Sequence, residues 1–243
     1  MNHKIIVESS NDQDIYTHIL NNFCRSSADV EPFVDELDWV ELKGLERSKL
    51  IIKLKEIRSE LVRATATAKI GIVIDLDDSS IEERIEFLNN LCSEAFDLTI
   101  DIERESEFKL YEIPEYDIDF ELAYCFSGLN GQGELEHLLK EIADTSIANH
   151  ANCLESGWTT CLKQKGITVK DKDLRKLWID FYKRYDCLNN KQKSNAGKYT
   201  QWKHFLEKHP DKFDFSKDIQ ELKNIKSFLA KLRGEKAYIC RLF

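Results

Sequence analysis

Three carboxylates stand where two apolar runs stop. Lys4-Ile-Ile-Val7 ends at Glu8, and the run from Lys69 to Ile74 ends at Asp75, with Asp77 two residues on and Asp78 beside it. Mg²⁺ or Mn²⁺ takes hard oxygen ligands, usually one or two carboxylates, with waters and substrate phosphates completing the shell. An extended backbone points residues i and i+2 to the same side, so Asp75 and Asp77 are expected to face one ion. Asp78 would point away, cap the next helix or add a ligand, while Glu8 would ligate or serve as general acid/base. Further on, Glu136, or alternatively Glu134, is a candidate to complete a second site, giving a two-metal pair ~3.5 to 4 Å apart that activates water and stabilises a leaving oxygen. Plainer roles compete, because strand-end acids also cap helices and glutamates in a first helical turn offset the helix dipole.

These side chains need elements to position them. Strand-like KIIV at 4–7 precedes a segment with Ile15, Ile19 and Leu20 at helical spacing, for which Asn11 and Asp12 are candidate caps. DWVEL at 38–42 alternates like a strand, and Leu45, Leu50, Leu54, Ile57 and Leu61 line a helix reaching about Ala66. KIGIVID at 69–75 is the near-continuous β-branched run of a strand buried on both faces, so it is expected at the centre of the sheet. Asp78, Ser79 and Ser80 are candidate caps of the helix after it. Three strand–helix units predict an α/β fold with a mostly parallel sheet flanked by helices. DLTIDIE, FKLYEIP and DFELAYCFS between 97 and 127 predict further strands, one or more of them antiparallel edge additions. The remainder has helical periodicity. The expected organisation is an α/β domain over 1–133 and a helical C-terminal portion, 134–243, packed on it.

Charge is unevenly distributed. The chain carries -9 overall, which argues against a uniformly basic nucleic-acid-binding surface. Yet residues 163–204 hold twelve Lys/Arg against four Asp, a local charge of +8. Lys172, Arg175, Lys176, Lys183, Arg184, Lys191, Lys193 and Lys198 are the candidate phosphate contacts of DNA or RNA, since such contacts give sequence-independent affinity. Trp178, Phe181 and Tyr185 recur at helical spacing nearby, a stripe read as core before base-stacking platform.

Other classes find no support. With 42% hydrophobic residues and only 3 Pro, the 243-residue chain has a globular composition. It lacks an apolar run of ~18 residues and a signal-peptide-like start, so it is expected in the cytoplasm and away from membranes. Seven scattered cysteines without a C-x-x-C pair suggest reduced core thiols. No P-loop, dinucleotide fingerprint or G-x-S-x-G occurs.

The succession IIVE(8)SSNDQDIY, helix, strand, helix, KIGIVID(75)LD(77)D resembles the Toprim domain of primases, topoisomerases and the overcoming-lysogenization-defect nucleases. More narrowly it is similar to small Toprim-related proteins found beside ATPases in bacterial defence loci. The likeness covers about residues 4–140, including the G-x-L-E-x-L-L-like stretch Gly133 to Leu139 that opens a helix, with weaker similarity in KYTQWKHFLEKH. It implies that a Glu after the first strand and a D-x-D after the third hold divalent metal for phosphodiester cleavage, in an antiphage-defence effector controlled by a partner ATPase. Toprim domains usually have Gly directly after that Glu, where this chain has Ser9. The alternative expectation is a catalytically degenerate Toprim scaffold whose acidic surface, especially 97–121, docks a protein.

Overall fold

The computed structural model describes residues 3–23, 37–64 and 68–233. Five strands, β1 (His3–Val7), β2 (Leu37–Glu41), β3 (Ala68–Asp75), β4 (Lys109–Ile113) and β5 (Ile118–Ser127), form one sheet in the order β2-β1-β3-β5-β4. β1 pairs in parallel with β2 and β3, β3 pairs in parallel with β5, and β4 runs antiparallel at the edge. The fold is the expected α/β class, a mostly parallel sheet between helices with a helical C-terminal extension, and β3 is its central strand.

Alternate residues of β3 serve two cores. Ile70, Ile72 and Ile74 pack against Leu54 and Ile57 of α2 (Arg47–Ala64) and Leu88 and Leu91 of α3 (Ile81–Phe96). On the opposite face Val73 joins Ile15 and Ile19 of α1 (Ser10–Phe23). That second core continues into the C-terminal helices α4 (Leu135–Ile142), α5 (Asn149–Cys153), α7 (Asp171–Phe181), α9 (Ala196–Tyr199), α10 (Trp202–Lys208) and α11 (Gln220–Leu232), whereas α6 (Thr159–Gln164) and α8 (Asn190–Lys193) bury no residue. Burial on both faces is what makes β3 read as an unbroken apolar run. No helix among the described residues is long and apolar enough to cross a membrane. Cys92 and Cys125 are buried free thiols as expected, whereas Cys153 and Cys161 are exposed. Cys24, Cys240 and the expected helix end near Ala66 lie outside the described residues.

Close approach of α11 to β3 depends on Gly71. A Cβ there would lie 2.6 Å from the Phe228 ring and 3.1 Å from Leu232. Gly71→Ala is therefore expected to destabilise the fold by about 1–3 kcal/mol, the usual cost of overpacking. Urea unfolding would show it as a lower midpoint at unchanged slope; a loss under ~0.5 kcal/mol would mean that Phe228 moves aside freely.

One expectation needs correction and one is narrowed. DLTIDIE at 97–103 forms no strand. Ile100 and Ile102 are buried, which accounts for the alternation, but the Ile100 and Ile102 N–H groups donate to Ser93 Oγ and Asn89 Oδ1 of α3. Backbone groups satisfied by helix side chains have no need of a neighbouring strand. Among the candidate caps after β3 it is Ser80 that caps the start of α3, in a reciprocal capping box with Glu83, and Asp78 is exposed.

Candidate metal centre at the carboxyl ends of β1 and β3

The chain leaves β1 for β2 on one side and returns to place β3 on the other, so the strand order reverses between β1 and β3. Ligand sites of open α/β sheets lie in the crevice at the carboxyl ends of such strands. Glu8 follows β1 there, and its Oε1 accepts a 2.8 Å hydrogen bond from the Asp75 N–H at the end of β3. Asp75 Oδ1 in turn accepts from the Leu135 N–H, at 3.0 Å, in the first turn of α4. Two strands and a helix are thus tied together through two carboxylates.

Asp77 departs from the expected i, i+2 arrangement. The backbone after Asp75 does not stay extended, because Asp77 has a left-handed φ of 51°. It is held there by two 2.9 Å backbone hydrogen bonds with Gly133, one in each direction. Gly133 itself has φ 88°, and a Cβ on it would come within 2.8 Å of His137 Nδ1, so glycine is required at this pairing. The Asp77 carboxylate receives a 2.8 Å ion pair from Arg84.

Asp12 and Glu136 complete an acidic cup with Glu8 and Asp75. Burial pushes the Asp75 carboxyl well above its ordinary range, and the neighbouring charges of Glu8, Asp12 and Glu136 push it further. Glu8 is raised by burial, then by Asp12 and Asp77, against the opposing bond from the Asp75 N–H. Asp12 is raised by burial although two bonds from Ser9 and the charge of Lys176 pull it down. Glu136 is likewise raised by burial, with Lys176 opposing and Glu134 and Asp12 reinforcing. Beneath the cup, the Tyr16 hydroxyl and Ser127 Oγ share a buried 2.5 Å hydrogen bond.

Asp12 was legible only as a cap, yet it lies in the first turn of α1, where its carboxyl also joins the cup. It does both jobs. Ser9 Oγ accepts from the Asp12 N–H at 3.3 Å while Asp12 Oδ2 accepts from the Ser9 N–H at 2.9 Å, a reciprocal box at the helix start. Ser9 is not among the residues with positive φ, so the position that follows Glu8 does not demand glycine here.

Of the predicted basic contacts, Lys172, Arg175 and Lys176 share one face of α7 (Asp171–Phe181), with Arg175 near His137. Lys172 and Lys176 reach Glu134 Oε1 at 3.7 and 3.1 Å. Lys183 is withdrawn from the surface, 4% exposed, with its ammonium 3.9 Å from the centre of the Trp202 ring and 3.1 Å from the Thr200 carbonyl. It is not a phosphate contact, and burial holds its pKa below the ordinary lysine value. Arg184, Lys191 and Lys198 are exposed and Lys193 is half-buried. Trp178 is core as expected and Phe181 packs against that core, whereas Tyr185 is exposed.

The donor set suits a hard divalent cation: four partly buried carboxyls repel one another, and Glu134 Oε2 is sealed from solvent without a hydrogen-bond partner. Its present geometry is not a finished cage, since no group of three or more His, Cys, Asp or Glu among the described residues is arranged to hold an ion. Glu8 and Asp75 each have an oxygen turned to a backbone N–H, and Asp77 faces Arg84. A family model described as a protein of unknown function (DUF3226) matches residues 2–233. No curated protein and no solved structure matches the chain.

Proposed function

The chain belongs to the DUF3226 family, and for this member we propose divalent-metal-dependent cleavage of nucleic-acid phosphodiesters in a Toprim-like site. The observation that carries it is the acidic cup itself, in which residues from β1, α1, β3 and α4 meet at the point where the strand order reverses. Glu8, Asp75 and Asp77 would hold Mg²⁺ or Mn²⁺ with Asp12 and Glu136; exposed Asp78 is left for an outer contact. The bound ion supplies Lewis-acid stabilisation of the phosphate and lowers the pKa of attacking water.

The chain's own residues supply the rest. The Asp75 N–H and the Leu135 N–H fix Glu8 and Asp75 against rotation. A carboxyl raised by burial accepts or delivers a proton nearer neutral pH, the property a general acid/base needs, and Glu8 is the strand-end residue in that position. Lys172 and Lys176 stand over the same cup as cations for the substrate backbone, as Lys176 also faces Glu136 and Asp75. The resemblance that supports cleavage also supports an antiphage-defence role under a separate ATPase, DNA or RNA being the material cut.

A second reading draws on the Arg84–Asp77 pair. An arginine already neutralising one candidate ligand suits a degenerate site serving as a protein-docking scaffold. Incubating plasmid, single-stranded DNA and total tRNA with Mg²⁺ or Mn²⁺, with and without a neighbouring ATPase, separates the two. Cleavage reduced at least ~100-fold by Glu8→Gln and by Asp77→Ala is expected, equivalent to roughly 2.7 kcal/mol of transition-state stabilisation. Absence of cutting by the parent in every condition would leave the scaffold.

A further inference from the structure

Glu134 is the N-cap residue of α4, but its side chain makes no cap hydrogen bond. Its carboxylate turns instead to α7, where Oε1 takes both Lys176 and Lys172 while Oε2 has no partner. The residue is 3% exposed, whereas the two lysine side chains, one turn apart on the same helix face, remain 43% and 46% exposed. A carboxylate and a phosphodiester each carry one negative charge and ask for the same ammonium donors. Lysine acts as a compact, mobile point charge, so the pair can exchange one anion for the other.

We propose that Glu134 is an internal stand-in for substrate phosphate: in the metal-free chain it occupies the seat formed by Lys172 and Lys176, and it yields that seat to a nucleic-acid phosphodiester when a cation loads the acidic cup. This regulation rests on the nuclease function proposed above. The geometry gives the exchange a direction. Glu134 lies two residues before Glu136, itself part of the cup, and its unpartnered oxygen is the atom with most to gain from a nearby cation. A buried carboxylate oxygen without a hydrogen bond is poorly satisfied where it is. Release of the lysines then places the phosphate beside Asp75 and Glu136, so substrate grip follows metal loading.

The test is binding, not turnover. A labelled single-stranded oligonucleotide is titrated with the full chain in EDTA at several salt concentrations, by fluorescence anisotropy. Glu134→Gln keeps the side-chain shape and removes the charge. It is expected to tighten binding about tenfold at low salt and to steepen the salt dependence by roughly 1.4, two phosphate contacts at ~0.7 each on a single strand. Adding Lys172→Ala and Lys176→Ala to that variant should return both quantities to the parent's. In the otherwise unaltered chain the same two lysine changes should leave EDTA binding unchanged, which keeps the test decisive if Glu134→Gln fails to fold. The stand-in is overturned if Glu134→Gln binds like the parent, if its gain survives loss of both lysines, or if the lysine changes weaken the parent in EDTA. A chain with the expected binding pattern that never cuts would sink the nuclease function and leave the stand-in; one that cuts without the pattern does the reverse.

Discussion

Asp75→Asn is expected to abolish metal-dependent cleavage and yet leave the metal-free protein at least as heat-stable as the parent. The two halves have one cause. Asp75 is a buried carboxyl facing Glu8, Asp12 and Glu136, each of which raises its pKa. Asparagine retains the oxygen that accepts the Leu135 N–H and deletes a charge whose ionised form is disfavoured by burial and by its neighbours. Removing that disfavoured charge is therefore expected to leave the melting temperature in EDTA at or above the parent's. The same deletion removes a ligand. Loss of several kcal/mol of metal-borne stabilisation corresponds to about 10²–10³-fold in rate. It also removes the heat stabilisation by Mg²⁺, which for an ion at about 100 times its Kd is ~2.7 kcal/mol, roughly 5–10 °C. Differential scanning fluorimetry in EDTA and in Mg²⁺, beside the cleavage assay, reads all three. An Asn variant less stable than the parent in EDTA would make Asp75 a structural residue, and one that keeps the Mg²⁺ shift would remove it from the ligand set.

The parts of this centre that could be read in the sequence are those set by burial. β3 announces itself because both its faces are covered, and Glu8 and Asp75 follow as the first polar residues beyond two apolar runs. What could not be read depends on partners remote in the chain. The left-handed turn at Asp77 exists because Gly133, more than fifty positions on, pairs with its backbone in both directions. Burial also misled, since Ile100 and Ile102 alternate like strand residues while Ser93 and Asn89 take their amides. Lys183 belonged to a basic run but lies under Trp202, a contact no local charge count contains. Asp12 combined two roles, and the capping one hid the other. The fold class was therefore more legible than the centre, because core patterning is periodic along the chain whereas the cup is assembled from four elements.

Stability against pH gives the largest effect obtainable without mutation. Glu8, Asp12, Asp75 and Glu136 all have folded-state pKa values raised above the ordinary carboxylate value. Between the unfolded value near 4 and those raised values, the folded chain binds more protons than the unfolded one. Stability then falls as pH rises, since its slope follows protons bound unfolded minus folded. The groups facing the cup temper this without changing its sign: Lys176 lowers Asp12 and Glu136, Arg84 lowers Glu8, and Ser9 lowers Asp12. The contribution of the cup is fully present below about pH 4 and is lost as pH climbs through the raised values. In EDTA the melting temperature of the parent relative to that of Asp75→Asn is accordingly expected to decline across the mildly acidic range toward neutrality, a comparison that cancels the opposite trend from His18, His137 and His209, whose pKa values burial lowers. Mg²⁺ should do the opposite, for cation binding competes with protons at the same oxygens, so its stabilising effect grows with pH. A parent whose melting temperature in EDTA climbs from pH 5 to 7, with Asp75→Asn climbing in parallel, would show that these four carboxyls do not meet in solution as one acidic cup.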